Sequence, residues 1–283
     1  ICISVDIDEV FSPGLKEGLL KAWTPETTRM RYQYAWSTNE DGSLGSTFWY
    51  DKIFHRDHYR WVLPVHEVVC YSSPYGHEVQ SWCHDIFLTH KPDNSKSRSS
   101  YLPLLELALK ENPNNDRTAH YLGREYMFYG MWDKAIEQLT RHISMPNANW
   151  KSERCASMRF ISRCYLSKGM FKESEEWALK ACAEVPTERE SWFELAKNYY
   201  NQHNWPGLYY ACKNTLAITE RTASYICEPA AWGWEVYDYA SLGAWNIGLK
   251  SDAMFYAKTA HEMNPSDARL KNNYDLMYAA LVP

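Results

Sequence analysis

The feature that most constrains the fold is internal self-similarity in the part of the chain after residue 115. Four segments, which start near residues 116, 155, 189 and 234, each carry small and aromatic residues at helical spacing. The starts are separated by 39, 34 and 45 residues, a spacing typical of helical-hairpin repeats with insertions. A single hairpin of this size cannot bury its apolar face without neighbours. The sequence therefore predicts a stack of degenerate helical hairpins.

The first repeat, residues 116–146, shows the pattern clearly. Gly123 and Tyr126 fall on its first predicted helix, Ala135 falls on its second, and Pro146 closes it. This order of small and aromatic residues resembles the tetratricopeptide pattern. Small residues let two helices approach closely, and aromatic rings fill the space that is left. An ordinary helical bundle is the alternative interpretation of this part.

The chain divides into two predicted domains at a polar stretch. Residues 91–100 contain Pro, Ser, Lys and Arg and predict a loop or linker. Residues 1–100 alternate strand-like and helix-like segments, which predicts an α/β domain with a mixed sheet. Residues 101–283 predict an all-α domain of tetratricopeptide-like repeats that ends in a capping helix over residues 267–281.

The predicted elements of the first domain begin with an apolar run. Residues 1–5 are β-prone without polar alternation, as expected for a strand covered on both faces. An acidic turn follows, and then an amphipathic helix over residues 15–23. Strict alternation predicts a strand over residues 29–36, and further strands are predicted over residues 47–54, 62–69 and 78–88.

The composition excludes several classes of function. Lys and Arg number 30 against 35 Asp and Glu, a net charge of −5, so the chain lacks the basic surface typical of nucleic-acid binders. No apolar run approaches the roughly 20 residues of a membrane span. The 8 Cys form no Cys-x-x-Cys motif, which predicts reduced thiols and a cytoplasmic location. Hydrolase and kinase motifs are missing too.

A pair of carboxylates follows the first predicted strand. Asp6 and Asp8 are two residues apart, and side chains at that spacing point to the same side of an extended chain. They would then face one divalent cation and the phosphates that it carries. An Asp-x-Asp sequence alone is a weak motif, and two solvated acids at a strand end are the alternative.

Together with other segments, this pair resembles the family 2 glycosyltransferases of GT-A fold that carry tetratricopeptide repeats after the catalytic domain. The resemblance rests on residues 3–14 around Asp-x-Asp, on residues 65–67 (Val-His-Glu), on residues 89–91 (Thr-His-Lys) and on residues 112–117, which lead into the repeats. It spans most of the chain, and its motifs are moderately specific together and weak singly. It implies a partial GT-A-like mixed sheet in residues 1–100.

The resemblance implies a metal-dependent glycosyltransferase. Such an enzyme would transfer a sugar from a nucleotide-diphosphate sugar, with a UDP-sugar expected, to a glycan or protein acceptor with inversion. A divalent cation, Mn²⁺ or Mg²⁺, would neutralise charge on the departing diphosphate. A protein partner is expected to bind the helical repeats.

The metal site implied by the resemblance consists of Asp6, Asp8 and His90. Asp6 would also contact the donor, and His90 would complete the metal site from the end of a predicted strand. The alternative for His90 is a surface histidine or one that is satisfied by hydrogen bonds.

The catalytic base implied by the resemblance is Glu67, which would take the proton from the acceptor. Asp85 is the second candidate, and an ion-paired acid at a strand end is the alternative for Glu67. Lys96 and Arg98 would close over the diphosphate, since their donors suit phosphate oxygens. A solvated linker is the alternative for these two residues.

The chain departs from the resemblance at its start. A GT-A domain begins with a strand-helix-strand half that binds the nucleotide, and here five residues precede Asp6. The first residue is Ile1 rather than Met, which also predicts that the natural N-terminal part is missing. The alternative function is therefore a non-catalytic tetratricopeptide scaffold or interaction protein whose first domain is a remnant.

Overall fold

The chain forms two compact units, and the boundary between them lies inside a helix, after Ala108. The computed structural model describes residues 1–38, 42, 44–74, 76–91, 101–222 and 224–281. We call residues 1–108 together with residues 224 and 225 the sheet unit, and we call residues 109–222 together with those from 226 onward the repeat unit. Within the described ranges, no helix has the length and apolar character needed to cross a membrane.

Seven strands lie within the described residues of the sheet unit. They are β1 (Cys2–Ile3), β2 (Glu9–Phe11), β3 (Arg29–Ala35), β4 (Thr47–Phe54), β5 (Tyr59–Val62), β6 (Val68–Tyr71) and β7 (Gln80–His90). Five of them form a mixed sheet in the order β1-β4-β3-β7-β2, in which β3 pairs antiparallel with β4 and parallel with β7. Strands β5 and β6 form a separate antiparallel hairpin. The mixed sheet predicted from the sequence is therefore present.

Helix α1 (Leu15–Ala22) packs on β7 and covers part of the sheet. Gly18 lies at the contact, where a Cβ atom would be 2.8 Å from Ile86 Cγ1, so a larger residue would force that side chain to move. Met30 and Tyr32 of β3 are fully buried below it. The strand predicted from alternation over residues 29–36 is thus confirmed, and it lies at the centre of the sheet.

The first predicted strand is wrong. β1 is a two-residue strand at the sheet edge beside β4, and Ile1 and Ile3 are exposed instead of covered on both faces. Glu9, which the sequence assigns to the acidic turn, instead begins β2 (Glu9–Phe11) at the opposite edge. Apolar composition alone does not distinguish a central strand from an edge strand, because the number of neighbouring strands depends on which distant segments pair with it.

The strand predicted over residues 62–69 is also wrong. Val62 ends β5 and Val68 begins β6, and the residues between them connect the hairpin. Leu63 and His66 adopt left-handed backbone conformations with φ of 75° and 52°. A strand requires extended backbone at every residue, so these two positions interrupt the apolar run.

Over its described residues, the repeat unit forms four helical hairpins and a final helix. Helix α2 (Tyr101–Glu111) crosses the unit boundary and precedes them. The hairpins are α3 (Asp116–Phe128) with α4 (Trp132–Ser144), α5 (Lys151–Ser167) with α6 (Phe171–Glu184), α7 (Arg189–Asn201) with α8 (Trp205–Ala217), and α9 (Trp234–Asn246) with α10 (Lys250–Met263), and α11 (Ala268–Ala279) follows. The predicted repeats and capping helix are therefore confirmed.

The turn inside each hairpin fixes the register of the repeats. Each turn has one residue with left-handed backbone, namely Gly130, Gly169, His203 and Gly248, with φ between 54° and 83°. These residues are 39, 34 and 45 residues apart, the same separations as the repeat starts in the sequence. Glycine adopts this conformation without steric cost, whereas His203 does not.

Polar residues at helix starts stabilise the hairpins. Asn115 accepts a hydrogen bond from Thr118 N–H at 2.7 Å at the start of α3, and Asn204 accepts one from Gly207 N–H at 3.1 Å at the start of α8. Each cap satisfies one of the N–H groups that the first helical turn leaves unpaired, a contribution of about 1 kcal/mol.

The packing of the hairpins defines an inner face. Each of α4, α6 and α8 packs between the first helix of its own hairpin and the first helix of the next, while α3, α5, α7 and α9 also contact one another in sequence. We call the surface of these four first helices that points away from the second helices the inner face. Stacks of this kind present such a surface as an extended concave binding site.

Close approach between helices depends on small residues. A Cβ atom at Gly123 would lie 2.5 Å from Leu139 Cγ, and one at Gly243 would lie 2.9 Å from the backbone N of Tyr209. Glycine at these positions allows α3 to approach α4 and α9 to approach α8. This is the arrangement expected from the small residues of the repeat pattern.

Candidate functional site

The predicted metal-binding residues lie around the turn between β1 and β2. Ile7 and Asp8 form this turn, and Glu9 N–H donates a hydrogen bond to Asp6 O at 3.0 Å. The chain between the two aspartates is therefore not extended, so the geometry expected to point both carboxylates to one side is lost. The Asp6 carboxylate instead pairs with Lys52 Nζ at 3.2 Å.

His90 lies beside Asp8. Its Nε2 is 3.8 Å from Asp8 Oδ2, its Nδ1 is 3.2 Å from the carbonyl oxygen of Trp36, and its ring stacks on the Trp36 indole with 4.5 Å between centroids. Two of the three predicted ligands are thus neighbours. In the part of the chain that the structure describes, no group of three or more His, Cys, Asp and Glu side chains could hold a metal ion.

The two predicted catalytic carboxylates lie in different elements. Glu67 is exposed in the connection between β5 and β6. Asp85 lies at an irregularity of β7, where it accepts a hydrogen bond from Lys21 Nζ at 2.6 Å, and this bond lowers the pKa of Asp85. A lowered pKa makes a carboxylate a weaker base. Lys96 and Arg98 lie outside the described residues.

The inner face of the repeat unit carries a row of cations that the sequence analysis missed. Arg124, Arg163 and Lys197 each lie six residues before the left-handed residue of their hairpin, so they occupy equivalent positions on α3, α5 and α7. We call these three residues the basic ladder. Leu242 occupies the equivalent position on α9, so the ladder covers three of the four hairpins.

Each cation of the ladder lies over an aromatic ring of its own helix. Arg124 is 4.6 Å from the ring of Tyr121, Arg163 is 5.4 Å from the ring of Phe160, and Lys197 is 5.1 Å from the ring of Phe193. These distances are within the range of a cation–π interaction. The repeated pairing places a flat apolar ring and a positive charge side by side on successive helices.

Two carboxylates join neighbouring steps of the ladder. Glu194 of α7 accepts from Arg163 at 2.7 Å and pairs with Lys197 at 2.8 Å, and its side chain is almost fully buried. Glu228 accepts from Arg163 at 2.5 Å. Because Glu228 lies between the third and fourth hairpins, this bond ties a connecting segment to the inner face.

Arg159 lies one helical turn before Arg163 and is fully buried. Its guanidinium is 3.3 Å from Glu228 Oε1 and 3.5 Å from Glu188 Oε2, and it donates to the carbonyl oxygen of Ile226 at 3.1 Å. A buried arginine requires partners of this kind, since an unpaired buried charge costs several kcal/mol. Arg159 and Arg163 together hold both oxygens of the Glu228 carboxylate.

The charges around Glu228 stabilise its ionised form. Burial by itself would raise the pKa of Glu228, but the positive charges of Arg163, Arg159 and Lys197 outweigh burial and lower this pKa to about 2. Burial by itself would lower the pKa of Arg163, but Glu194 and Glu228 outweigh burial and raise it. Glu228 is therefore negatively charged at neutral pH, and the two arginines form a site for a carboxylate.

The segment that carries Glu228 accounts for the longest separation between repeats. It runs from the end of α8 to the start of α9 and includes the single 3₁₀ turn Pro229–Ala231. Glu190 of α7 accepts hydrogen bonds from Glu228 N–H at 3.2 Å and from Trp232 Nε1 at 2.9 Å. Arg189 lies 4.1 Å from the Trp232 ring. Residues 226–232 of the segment thus contact residues of α5 and α7.

A signal for the basic ladder was present in the sequence. Arg124, Arg163 and Lys197 are separated by 39 and 34 residues, the same distances as the repeat starts. Equal spacing predicts equal positions in stacked repeats. The pairing of Arg159 and Arg163 with Glu228 gives no such signal, because these residues are 69 and 65 positions apart and follow no repeat period.

No protein-family model matches the chain, and no curated protein matches it. Among solved structures, the hetero-tetramer Cut9–Hcn1 of the APC/C matches with a TM-score of 0.51 at 13% identity, over 64% of this chain and 33% of that chain. A thermophilic tetratricopeptide protein of Thermus thermophilus, TTC0263, matches with a TM-score of 0.45 at 18% identity, over 64% of this chain and 90% of that chain. MamA matches with a TM-score of 0.48 at 19% identity, over 60% and 91% of the two chains.

These comparisons correct the assignment made from sequence motifs. The structural likeness is to helical-repeat proteins, and the tetratricopeptide-like fold predicted for the second domain is confirmed. The resemblance to family 2 glycosyltransferases is wrong, and with it the expected glycosyltransferase activity and nucleotide-sugar donor, since no family model matches the chain and the match with a TM-score above 0.5, Cut9–Hcn1, is not a glycosyltransferase. Short motifs such as Asp-x-Asp occur by chance in many chains.

Proposed function

We propose that this protein is a non-catalytic interaction protein whose repeat unit binds an acidic, extended segment of a protein partner along the inner face. The observation that carries the proposal is the carboxylate site of Arg159 and Arg163, which binds Glu228 from a connecting segment of the chain itself. A carboxylate from a partner would meet the same donors. Arginine is suited to this task because its planar fork binds both carboxylate oxygens.

The basic ladder extends this site along the stack. Each step offers an aromatic ring and a cation, so a bound segment gains apolar contact and charge pairing at intervals set by the repeats. Helices hold these side chains on a rigid support, which lowers the entropy that a partner loses on binding. The net charge of −5 is a second argument for a protein partner over nucleic acid.

Binding of a displayed peptide library would test the proposal. Acidic peptides are compared with matched peptides that carry Asn and Gln in place of Asp and Glu. We expect the full chain to select acidic peptides, and Arg124→Ala and Lys197→Ala each to weaken binding about tenfold, an effect of about 1.4 kcal/mol. The affinity is also expected to fall as salt is raised.

A matched control is available on the outer side of the stack. Lys180 of the second helix α6 lies 4.2 Å from the ring of Trp177, so Lys180→Ala removes a similar cation–π pair away from the inner face. We expect this variant to bind the selected peptides as tightly as the parent chain. Equal weakening by Lys180→Ala and Arg124→Ala, or no preference for acidic peptides, would contradict the proposed binding face.

A further inference from the structure

The segment between α8 and α9 occupies the carboxylate site that the proposed function assigns to a partner. Three of its groups contact the inner face directly: the Ile226 carbonyl oxygen on Arg159, the Glu228 carboxylate on Arg159 and Arg163, and the Glu228 N–H on Glu190. The Ile226 side chain is buried as well. The chain therefore presents to its own inner face an apolar residue followed two positions later by a carboxylate.

We propose that Glu228 acts as a displaceable internal ligand, and that an acidic segment of a partner binds Arg159 and Arg163 by replacing its carboxylate. This inference rests on the proposed function of the inner face. It adds the chemistry of the partner, which would carry a Glu or Asp two residues after an apolar residue. It also adds a regulatory consequence, since the site is closed until a competing carboxylate arrives.

The way the charges are shared permits this exchange. Arg163 also binds Glu194, and Arg159 also lies 3.5 Å from Glu188, so neither arginine loses its last carboxylate when Glu228 leaves. A partner carboxylate restores the original number of charges at the site. An exchange of like for like avoids the cost of leaving a buried cation unpaired.

The residues that follow Glu228 are firmly held. Ala231 is fully buried in the core, and Trp232 lies against Arg189 and Glu190. The Glu228 side chain is 27% exposed, so an approaching carboxylate can reach it. We therefore expect residues 226–228 to leave the two arginines while Pro229–Ala231 stays in place as the hinge.

A tethered ligand lowers the apparent affinity for a partner. Because the segment is part of the same chain, it competes at a high effective concentration. The measured affinity equals the affinity of the open site multiplied by the fraction of molecules in which the site is open. Weakening the internal carboxylate therefore raises affinity for an external one without any change in the arginines.

The test uses a synthetic peptide with the sequence of residues 222–234, in which Ser replaces Cys227, added to the full chain. We expect the Glu228→Gln variant of the chain to bind this peptide at least tenfold tighter than the parent chain does. A second peptide that carries Gln in place of its Glu should bind neither protein. Glu220→Gln is the matched control, since Glu220 is exposed in the same segment, and it should bind the peptide as the parent does.

Hydrogen exchange on the parent chain provides a readout that needs no variant. We expect the amides of residues 226–228 to exchange through local opening, faster than the amides of α5 and α7, and to exchange faster still when an acidic library peptide is bound. Exchange of the segment only through global unfolding would show that it is a fixed part of the fold and would overturn the inference.

The outcomes separate this inference from the proposed function. Equal binding of acidic library peptides to the parent and to Glu228→Gln would support the inner face as a binding site and refute the internal ligand. Failure of acidic peptides to bind either protein would refute the proposed function and the inference together. Tighter binding to Glu228→Gln, with weakened binding by Arg124→Ala, would support both.

Discussion

The carboxylate of Glu228 makes a quantitative prediction about acid stability. Its pKa falls from an ordinary value of 4.5 to about 2 because Arg163, Arg159 and Lys197 surround it. A carboxyl whose pKa is lowered by folding stabilises the native state at pH values above the unfolded pKa. That stabilisation is lost as the pH falls toward the folded pKa, because the native state must then take up a proton.

The magnitude follows from the size of the shift. A change of one pKa unit corresponds to about 1.4 kcal/mol, so the full shift corresponds to about 3 kcal/mol at pH 7. Because 27% of the Glu228 side chain is exposed, solvent screening reduces the expected contribution to about 2 kcal/mol. Most of this contribution should disappear between pH 5 and pH 2, because the loss is complete only below the folded pKa.

The variant Glu228→Gln keeps the shape of the side chain and removes its charge. We expect the variant to be about 2 kcal/mol less stable than the parent chain at pH 7 and within about 0.5 kcal/mol of it at pH 2. Urea unfolding followed by circular dichroism at pH 7, 5, 3 and 2 gives the free energy of unfolding of both proteins. Glu262→Gln is the control, because Glu262 forms an exposed pair with Lys258 at 3.6 Å and should change stability by less than about 0.5 kcal/mol at every pH.

Two results would refute this reasoning. A stability difference that stays constant from pH 7 to pH 3 would mean that Glu228 acts through packing and not through its charge. No difference at pH 7 would mean that the cost of burying the Glu228 carboxylate cancels its attraction to Arg159 and Arg163.

Three further predictions concern other parts of the repeat unit. Burial lowers the pKa of His120 to about 3, so the native state does not take up the proton that the unfolded state binds below about pH 6.5. The free energy of unfolding of the parent, measured with urea, should therefore fall by about 2 kcal/mol between pH 7 and pH 5, and a His120→Gln variant should not show this loss. Gly169 has φ of 71° with no atom within 4 Å of a Cβ position, so Gly169→Ala should lower the free energy of unfolding by about 1 kcal/mol through backbone strain alone. His203→Gly at the equivalent turn should not destabilise the protein, and a lower melting temperature for His203→Gly would contradict the strain argument. In Gly243→Ala the new Cβ would lie 2.9 Å from the backbone N of Tyr209, which cannot rotate away. The free energy of unfolding should therefore fall by about 1 to 2 kcal/mol despite the better helix propensity of alanine. An unchanged melting temperature would show that α8 and α9 can move apart.

The repeat unit was predictable because its signals are local and recur. Each hairpin has a left-handed residue in its turn, and these residues recur along the chain at the repeat spacing. In the sheet unit, strand β4 (Thr47–Phe54) also has the bounds predicted from the sequence. Periodicity within one segment was sufficient for these elements.

The sheet unit shows where local signals fail. The apolar run of residues 1–5 predicted a covered strand, yet β1 lies at the edge of the sheet. Residues 62–69 predicted one strand, yet they hold the connection of a hairpin. Strand order depends on pairing between distant segments, which the composition of a single segment does not specify.

The sequence by itself determined the stack of helical hairpins and the equivalent positions of Arg124, Arg163 and Lys197, because helix periodicity and repeat spacing are properties of neighbouring residues. Only the tertiary structure decided which carboxylate the arginines bind. Glu228 is 65 residues from Arg163 and 69 from Arg159 along the chain, and their attraction becomes strong only when folding brings them together and removes water. The candidate site thus depends on burial and distance, which no single segment encodes.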